Sequence, residues 1–208
     1  MPYNHSVIVG WAHRLIMPRF SLTVPSMLLK REPLWQENRP GLRHKLPLAV
    51  QSWTYESGSL TQRLRDRYGH AVAVKVLLQR WCTPFLSERR LMGLAEQRYH
   101  LVREVLLHVN STPLILARTI IPETTIKAVN NKLAHLGNRP LGEIIFAYPK
   151  LERVSMDISL VKPQTWTDKV LVEADIQQAL WGRRTVYGIA HHHMLVSEFF
   201  LPAILERV

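Results

Sequence analysis

The sequence predicts an α+β fold, a single antiparallel sheet of about six strands with helices packed against it. Three observations carry this. Residues 99–109 and 114–121 are apolar and alternating, and Asn110-Ser111-Thr112-Pro113 joins them as a turn joins a hairpin. Residues 181–189 and 194–201 repeat the arrangement across His191-His192-His193. Between the hairpins, Ile126, Val129, Leu133 and Leu136 recur at spacings of three and four, the period of a helix with one buried face.

The elements follow in order. Residues 1 to about 26 hold two arginines and no acid, broken by Pro18 and Pro25, and read as a loose terminal stretch. With the tract up to residue 45 they form an N-terminal extension ahead of a domain expected at 46–208. Residues 46–55 have a helical pattern, which Ser57-Gly58-Ser59 interrupts. Ser59 then caps a new helix, with Gln62 as its capping-box partner and Leu60 and Leu64 on its apolar side. Residues 71–82 are rich in valine and read as a strand, and 83–97 as charged and irregular. After the first hairpin, Pro122 and Glu123 open the helix that runs through Leu136, and Gly137 stops it. Pro140-Leu141-Gly142 leads into a short apolar turn through Phe146. Residues 151–160 are a strand, 163–179 are polar with room for a short helix, and the second hairpin closes the pattern.

Composition narrows the classes of function. A chain of 208 residues with 47% apolar content supports one domain with a real core. The formal charge of +11 fits nucleic acid, an acidic membrane surface or a small anion, and the basic residues form no block of five or more. Cys82 is the only cysteine, which excludes an intrachain disulfide and a CxxC site and fits a reducing compartment. No apolar run reaches the ~18 residues of a spanning helix. The apolar start at 6–12 is cut short by His13 and Arg14 and lacks a cleavage pattern, so a soluble cytoplasmic protein is expected. Motifs for nucleotide binding, serine nucleophiles and zinc hydrolases are missing. The three histidines at 191–193 point in different directions and have no acidic or cysteine neighbour at ligand spacing, so they read as loop residues and no metal is expected. Arg63, Arg65 and Arg67 lack interleaved aromatics and read as a solvated helix face, not a nucleic-acid surface.

Two ionisable residues stand out. Arg103 alternates with Leu101, Val105, Leu107 and Val109, and Glu198 with Met194, Val196 and Phe200. A charge on an apolar strand face is costly unless paired. Arg103 is either half of a structural ion pair or a fork for a ligand carboxylate. Glu198 is either a partner for Arg103, Arg183 or Arg184, or a group that meets a substrate hydroxyl. Arg118 repeats the pattern beside Leu114, Leu116 and Ile120, and serves either an anionic ligand or a loop. Together they point to a closed pocket for a small polar anion.

Five landmarks occur in order: Arg103-Glu104-Val105-Leu106-Leu107, Arg118-Thr119-Ile120-Ile121-Pro122, Pro140-Leu141-Gly142, Leu180-Trp181-Gly182-Arg183-Arg184 and Glu198-Phe199-Phe200-Leu201-Pro202. In this order and at these separations, over residues 53–202, the chain resembles the chorismate pyruvate-lyases, which make 4-hydroxybenzoate for ubiquinone. The resemblance implies a single sheet with helical flaps over a buried pocket. It implies that Arg103 holds the ring carboxylate and Glu198 meets the hydroxyl end, the two serving as catalytic residues. It places a backbone contact at Leu141 and a flap contact at Leu60, where the family member compared has methionine. Chorismate is then the substrate, with no cofactor, no nucleic-acid partner, no stable membrane insertion and a monomeric chain. The residues 57–59 suit a lid hinge. The alternative is a non-catalytic small-anion sensor domain of the related repressor-effector fold. Residues 1–45 are too short and too proline-broken for the helix-turn-helix module that such a repressor carries.

Overall fold

The computed structural model describes residues 26–129 and 131–206. Among these, the strands are β1 (Gln36–Glu37), β2 (Val72–Cys82), β3 (His100–Val109), β4 (Thr112–Ile121), β5 (Glu152–Val161), β6 (Leu180–Ile189) and β7 (His192–Phe200). The helices are α1 (Leu48–Thr54), α2 (Leu60–Tyr68), α3 (Leu86–Met92), α4 (Glu123–Ala128), α5 (Leu141–Ile145), α6 (Asp168–Glu173) and α7 (Pro202–Leu205). The strands form one antiparallel sheet in the order β1-β5-β6-β7-β4-β3-β2. The α+β expectation holds, with seven strands in place of about six. The extra one, β1, is two exposed residues paired to β5 by backbone alone, so no apolar alternation announces it.

Both sheet faces are covered, which is why β3 and β4 are buried almost throughout. One face carries Leu28, Leu29, Leu106, Leu116, Trp166 and Phe199 in a single cluster, with the Trp166 and Phe199 rings edge to face at 4.8 Å. The other face holds two clusters. One joins Leu101, Tyr187 and Val196 to Ile126, Leu133 and Ile145, and the other joins Val105, Leu107 and Ala117 to Trp53, Leu60 and Leu64. The site described below lies at the seam between these two.

Three sequence expectations need correction. The helix through Leu136 ends at Ala128, and the chain beyond Val129 proceeds by turns, with Asn131 in the left-handed region at φ 59°. Asparagine tolerates that conformation, and Leu133 and Leu136 still reach the same core cluster from a wrapped segment. Residues 83–97 are not irregular throughout, because α3 forms there. Glu88 accepts a hydrogen bond from the Phe85 amide at 2.8 Å, and Gly93 closes the helix at φ 61°. The capping box at Ser59 is half made. Its hydroxyl accepts from the Gln62 amide at 3.3 Å, but the Gln62 side chain turns to Asp66.

The expected loose stretch falls on residues 1–25, outside the described residues, apart from Ser26 itself. Ser26 is fully buried. Its hydroxyl accepts from the amides of Leu28 and Leu29 and donates to Glu104 at 2.5 Å. No helix among the described residues is long and apolar enough to cross a membrane.

Candidate active site

Strand register builds the site. Across β6, β7, β4, β3 and β2, one row on a single face runs Thr185, Val196, Thr119, Arg103, Gln79. The next row runs Arg183, Glu198, Ala117, Val105, Val76. Arg103 and Glu198 are therefore two strands and one row apart, about 12 Å between backbone positions at ordinary sheet spacings. Between them β4 contributes Ala117 and Thr119, both short. Long side chains at either end and short ones between leave a trough. Leu60 and Thr61 of α2 and Leu141 and Ile145 of α5 roof it, and Tyr187 and Phe146 close one wall. The resulting cavity is about 50 Å³, well below the ~300–1,000 Å³ common for small-molecule sites, so the roof lies close on the floor. Arg103, Glu198, Leu60 and Leu141 all line it.

Arg103 is 2% exposed and has no carboxylate partner among the described residues. Its Nε donates to the Gln79 side-chain oxygen at 3.1 Å, and Nη2 donates to the carbonyls of Gly137 at 2.9 Å and Arg139 at 3.1 Å. Gln79 also donates to the Ala134 carbonyl at 3.2 Å, so the segment after α4 is tied to the sheet edge at three carbonyls. Burial lowers the Arg103 pKa to about 10, which leaves it charged at neutral pH. Neutral acceptors orient this cation without neutralising it. Its Nη1 makes no hydrogen bond among the described residues. A parallel two-nitrogen fork would need Nη2 to release a carbonyl, so the free donors are the two hydrogens of Nη1.

Glu198 is not paired with Arg103. Its Oε2 accepts from Arg183 Nε at 2.7 Å, while Oε1 has no partner among the described residues. Arg183 stands directly opposite on β6. Burial disfavours its cation, but Glu198, Tyr187 and Glu56 together more than offset this, and the Arg183 pKa is raised. The neighbouring Gly182 is required by packing, since a Cβ there would lie 2.5 Å from the Phe199 ring. Tyr187, buried on the same face as Arg183, has its pKa raised by burial and then by Glu198.

Arg118 belongs elsewhere. It opens onto the opposite face, where Nε and Nη2 grip Glu88 at 2.7 and 2.9 Å and Nη1 reaches Glu104 at 2.6 Å. Phe85 stacks on it at 4.5 Å. Two buried carboxylates raise its pKa despite desolvation. The anion-binding option for Arg118 is thus replaced by a structural triad. Strand parity in the sequence could not have shown this: counted from the turn pair Val109 and Thr112, Arg103 would face Arg118, and only the register shift between Leu107 and His108 brings Thr119 opposite Arg103 and turns residue 118 to the other face. The sequence reading also missed Tyr187, Thr119 and Gln79, which lack a charge on an apolar face and so give no signal before the register is known.

The roof is held from outside. Arg65 of α2 forms an ion pair with Glu143 of α5. Ser59 packs so closely on Gly142 that a Cβ at Gly142 would lie 2.4 Å from the Ser59 hydroxyl. Arg63 donates to Ser52 and Glu56 and covers the Trp53 ring at 4.0 Å, so this arginine serves the fold rather than a polyanion.

A family model described as chorismate lyase matches residues 29–208. The chain belongs to the chorismate lyase family. A probable chorismate pyruvate-lyase of Methylococcus capsulatus is 42% identical over 157 residues, covering 76% of this chain and 97% of that one. One from Thiobacillus denitrificans is 36% identical, covering 76% of this chain and 86% of the other. One from Alcanivorax borkumensis is 35% identical, covering 86% and 81%. Among solved structures, the effector domain of PhnF from Mycobacterium smegmatis aligns with a TM-score of 0.51 at 14% identity, over 70% of this chain and 90% of that one. That likeness concerns the fold alone.

Proposed function

We propose that this protein removes pyruvate from chorismate and releases 4-hydroxybenzoate, the first committed step of ubiquinone biosynthesis, in the cytoplasm. The observation that carries the reading is the buried Arg103 cation, oriented by neutral acceptors and without an acid partner among the described residues, in a largely apolar trough. An unpaired buried charge is expensive to keep, and a bound carboxylate supplies the missing partner. The relatives' shared name supports chorismate as that ligand.

In this reading the ring lies over Ala117 and Thr119. Its carboxylate meets Arg103 Nη1, and its hydroxyl meets Glu198 Oε1. Leu60 and Leu141 cover the ring. The bond between the ring and the enolpyruvyl oxygen breaks, a ring proton is lost, and the departing enolpyruvate takes up a proton to become pyruvate. Aromatisation drives the reaction downhill. The chain's task is to hold the reacting geometry, answer charge that shifts toward the leaving oxygen, and keep water out. This chemistry does not call for a redox group.

The test is to incubate purified protein with chorismate in a chelator. Equal amounts of 4-hydroxybenzoate and pyruvate are expected. No product, or activity that appears only on adding a divalent ion, contradicts the reading in whole or in its cofactor-free part.

A further inference from the structure

We propose that Arg183 is a positioning residue that aims Glu198 into the cavity and ties it to the hinge of the lid helix α2. The inference rests on the reading of the site given above. Arg183 is 1% exposed, and its guanidinium spans two structures. On one side Nε holds Glu198 Oε2 at 2.7 Å, which leaves Oε1 for the cavity. On the other side Nη1 donates to the carbonyls of Thr54 at 2.9 Å and Glu56 at 3.0 Å, with Trp53 at the long distance of 3.4 Å. Trp53 and Thr54 end α1, where carbonyls have no partner within the helix and a cation is favoured.

Only Ser57 and Gly58 then separate Glu56 from Ser59, the residue that caps α2. Glu56 is itself drawn into the hinge. Its carboxylate accepts from the Gly58 amide at 2.9 Å and from Arg63 of α2 at 3.3 Å. One planar cation thus ties the carboxylate on the floor to the segment from which the roof swings, where Arg153 Nη2 also donates to the Glu56 carbonyl. Lysine keeps the charge but cannot reach both sides with fixed geometry. A change in Glu198 on ligand binding would be felt at the hinge through a single side chain.

Two measurements test this. The first is the single-turnover rate of chorismate conversion in Arg183→Lys, with wild type alongside. A loss of tenfold or more is expected, with melting temperature and benzoate affinity little changed. Adding Glu198→Gln to Arg183→Lys should cost little more than the larger single loss, because both act through one carboxylate. A folded Arg183→Lys within twofold of wild type, or losses that multiply fully in the double variant, would overturn the proposal. The second measurement needs no activity and no Arg183 variant. In Glu198→Gln, backbone hydrogen exchange across residues 57–63 should rise several-fold as the arginine loses its charged partner. Unchanged exchange there breaks the link to the lid. If wild type itself makes no product, the activity assigned above fails, while the exchange result still decides the coupling.

Discussion

At the scale of single residues, three buried arginines that look alike in sequence do three jobs. Arg118 meets two carboxylates, Arg183 meets one carboxylate and a helix end, and Arg103 meets only neutral oxygens. Burial plus alternation identified Arg103 and Glu198 as unusual but could not say which charge pairs with which, since pairing depends on register across strands far apart in sequence. Arg118→Met should therefore destabilise the fold by about 3–5 kcal/mol, because it strands two buried acids. Chemical denaturation checks this, and a loss under 1 kcal/mol would show that the triad is not needed. Arg103 gives a pH signature. Its pKa of about 10 means that the free site loses its cation as pH rises past that value. Benzoate, which has no phenol to titrate, should bind evenly up to about pH 9 and then weaken roughly tenfold per unit above about 10. Affinity that stays flat to pH 11 would mean that another group holds the carboxylate.

At the scale of elements, the hairpins were legible because alternation and turns are local signals. The helix after Pro122 was overextended because apolar spacing persists where the chain wraps by turns, as at Leu133 and Leu136. The roof was only partly legible. Ser57-Gly58-Ser59 marked the break, but nothing local shows that Arg65 meets Glu143 or that Ser59 lies against Gly142. This pair joins the two halves of the roof, and both side chains are about one-third exposed. Exposed pairs contribute about 0.2–1 kcal/mol, so opening should speed product release by up to about fivefold. Stopped-flow release of 4-hydroxybenzoate should quicken in Arg65→Glu. Exchanging the charges, Arg65→Glu with Glu143→Arg, should restore slow release. A double variant as fast as the single one would rule out the ion pair as a latch.

At the scale of the whole molecule, the sheet is sandwiched, and its two faces divide the work. One face buries the Arg118 triad and the segment from Ser26, and the other builds the cavity. Fold class was legible because it depends on the sum of patterns. The cavity was not, because it arises from the short residues Ala117 and Thr119 between long ones on neighbouring strands. The similarity to an effector domain at 14% identity concerns this frame alone. Stability should also carry a pH dependence from His100. Both ring nitrogens of His100 are buried without hydrogen-bond partners among the described residues, and burial, then Arg98, lowers its pKa below the ordinary 6.5. The unfolded chain then binds the proton more readily. Stability from this source is full above about pH 6.5 and falls as pH drops below it, until the folded residue also protonates. His100→Leu should flatten that acid-side decline in melting temperature, and an unaltered slope would assign the decline to other groups.

The central claim is that Arg103 and Glu198 bracket one ring, cation at the carboxylate end and carboxylate at the hydroxyl end. Calorimetric titration of 4-hydroxybenzoate and benzoate into wild type, Arg103→Lys and Glu198→Gln tests it most directly. Arg103→Lys should weaken both ligands by roughly ten- to a hundredfold, the cost of a disrupted charged hydrogen bond. Glu198→Gln should leave benzoate unchanged and reduce only the advantage that 4-hydroxybenzoate gains from its hydroxyl. If Arg103→Lys binds both ligands like wild type, or Glu198→Gln weakens benzoate as much as 4-hydroxybenzoate, the two residues do not hold opposite ends of the ring.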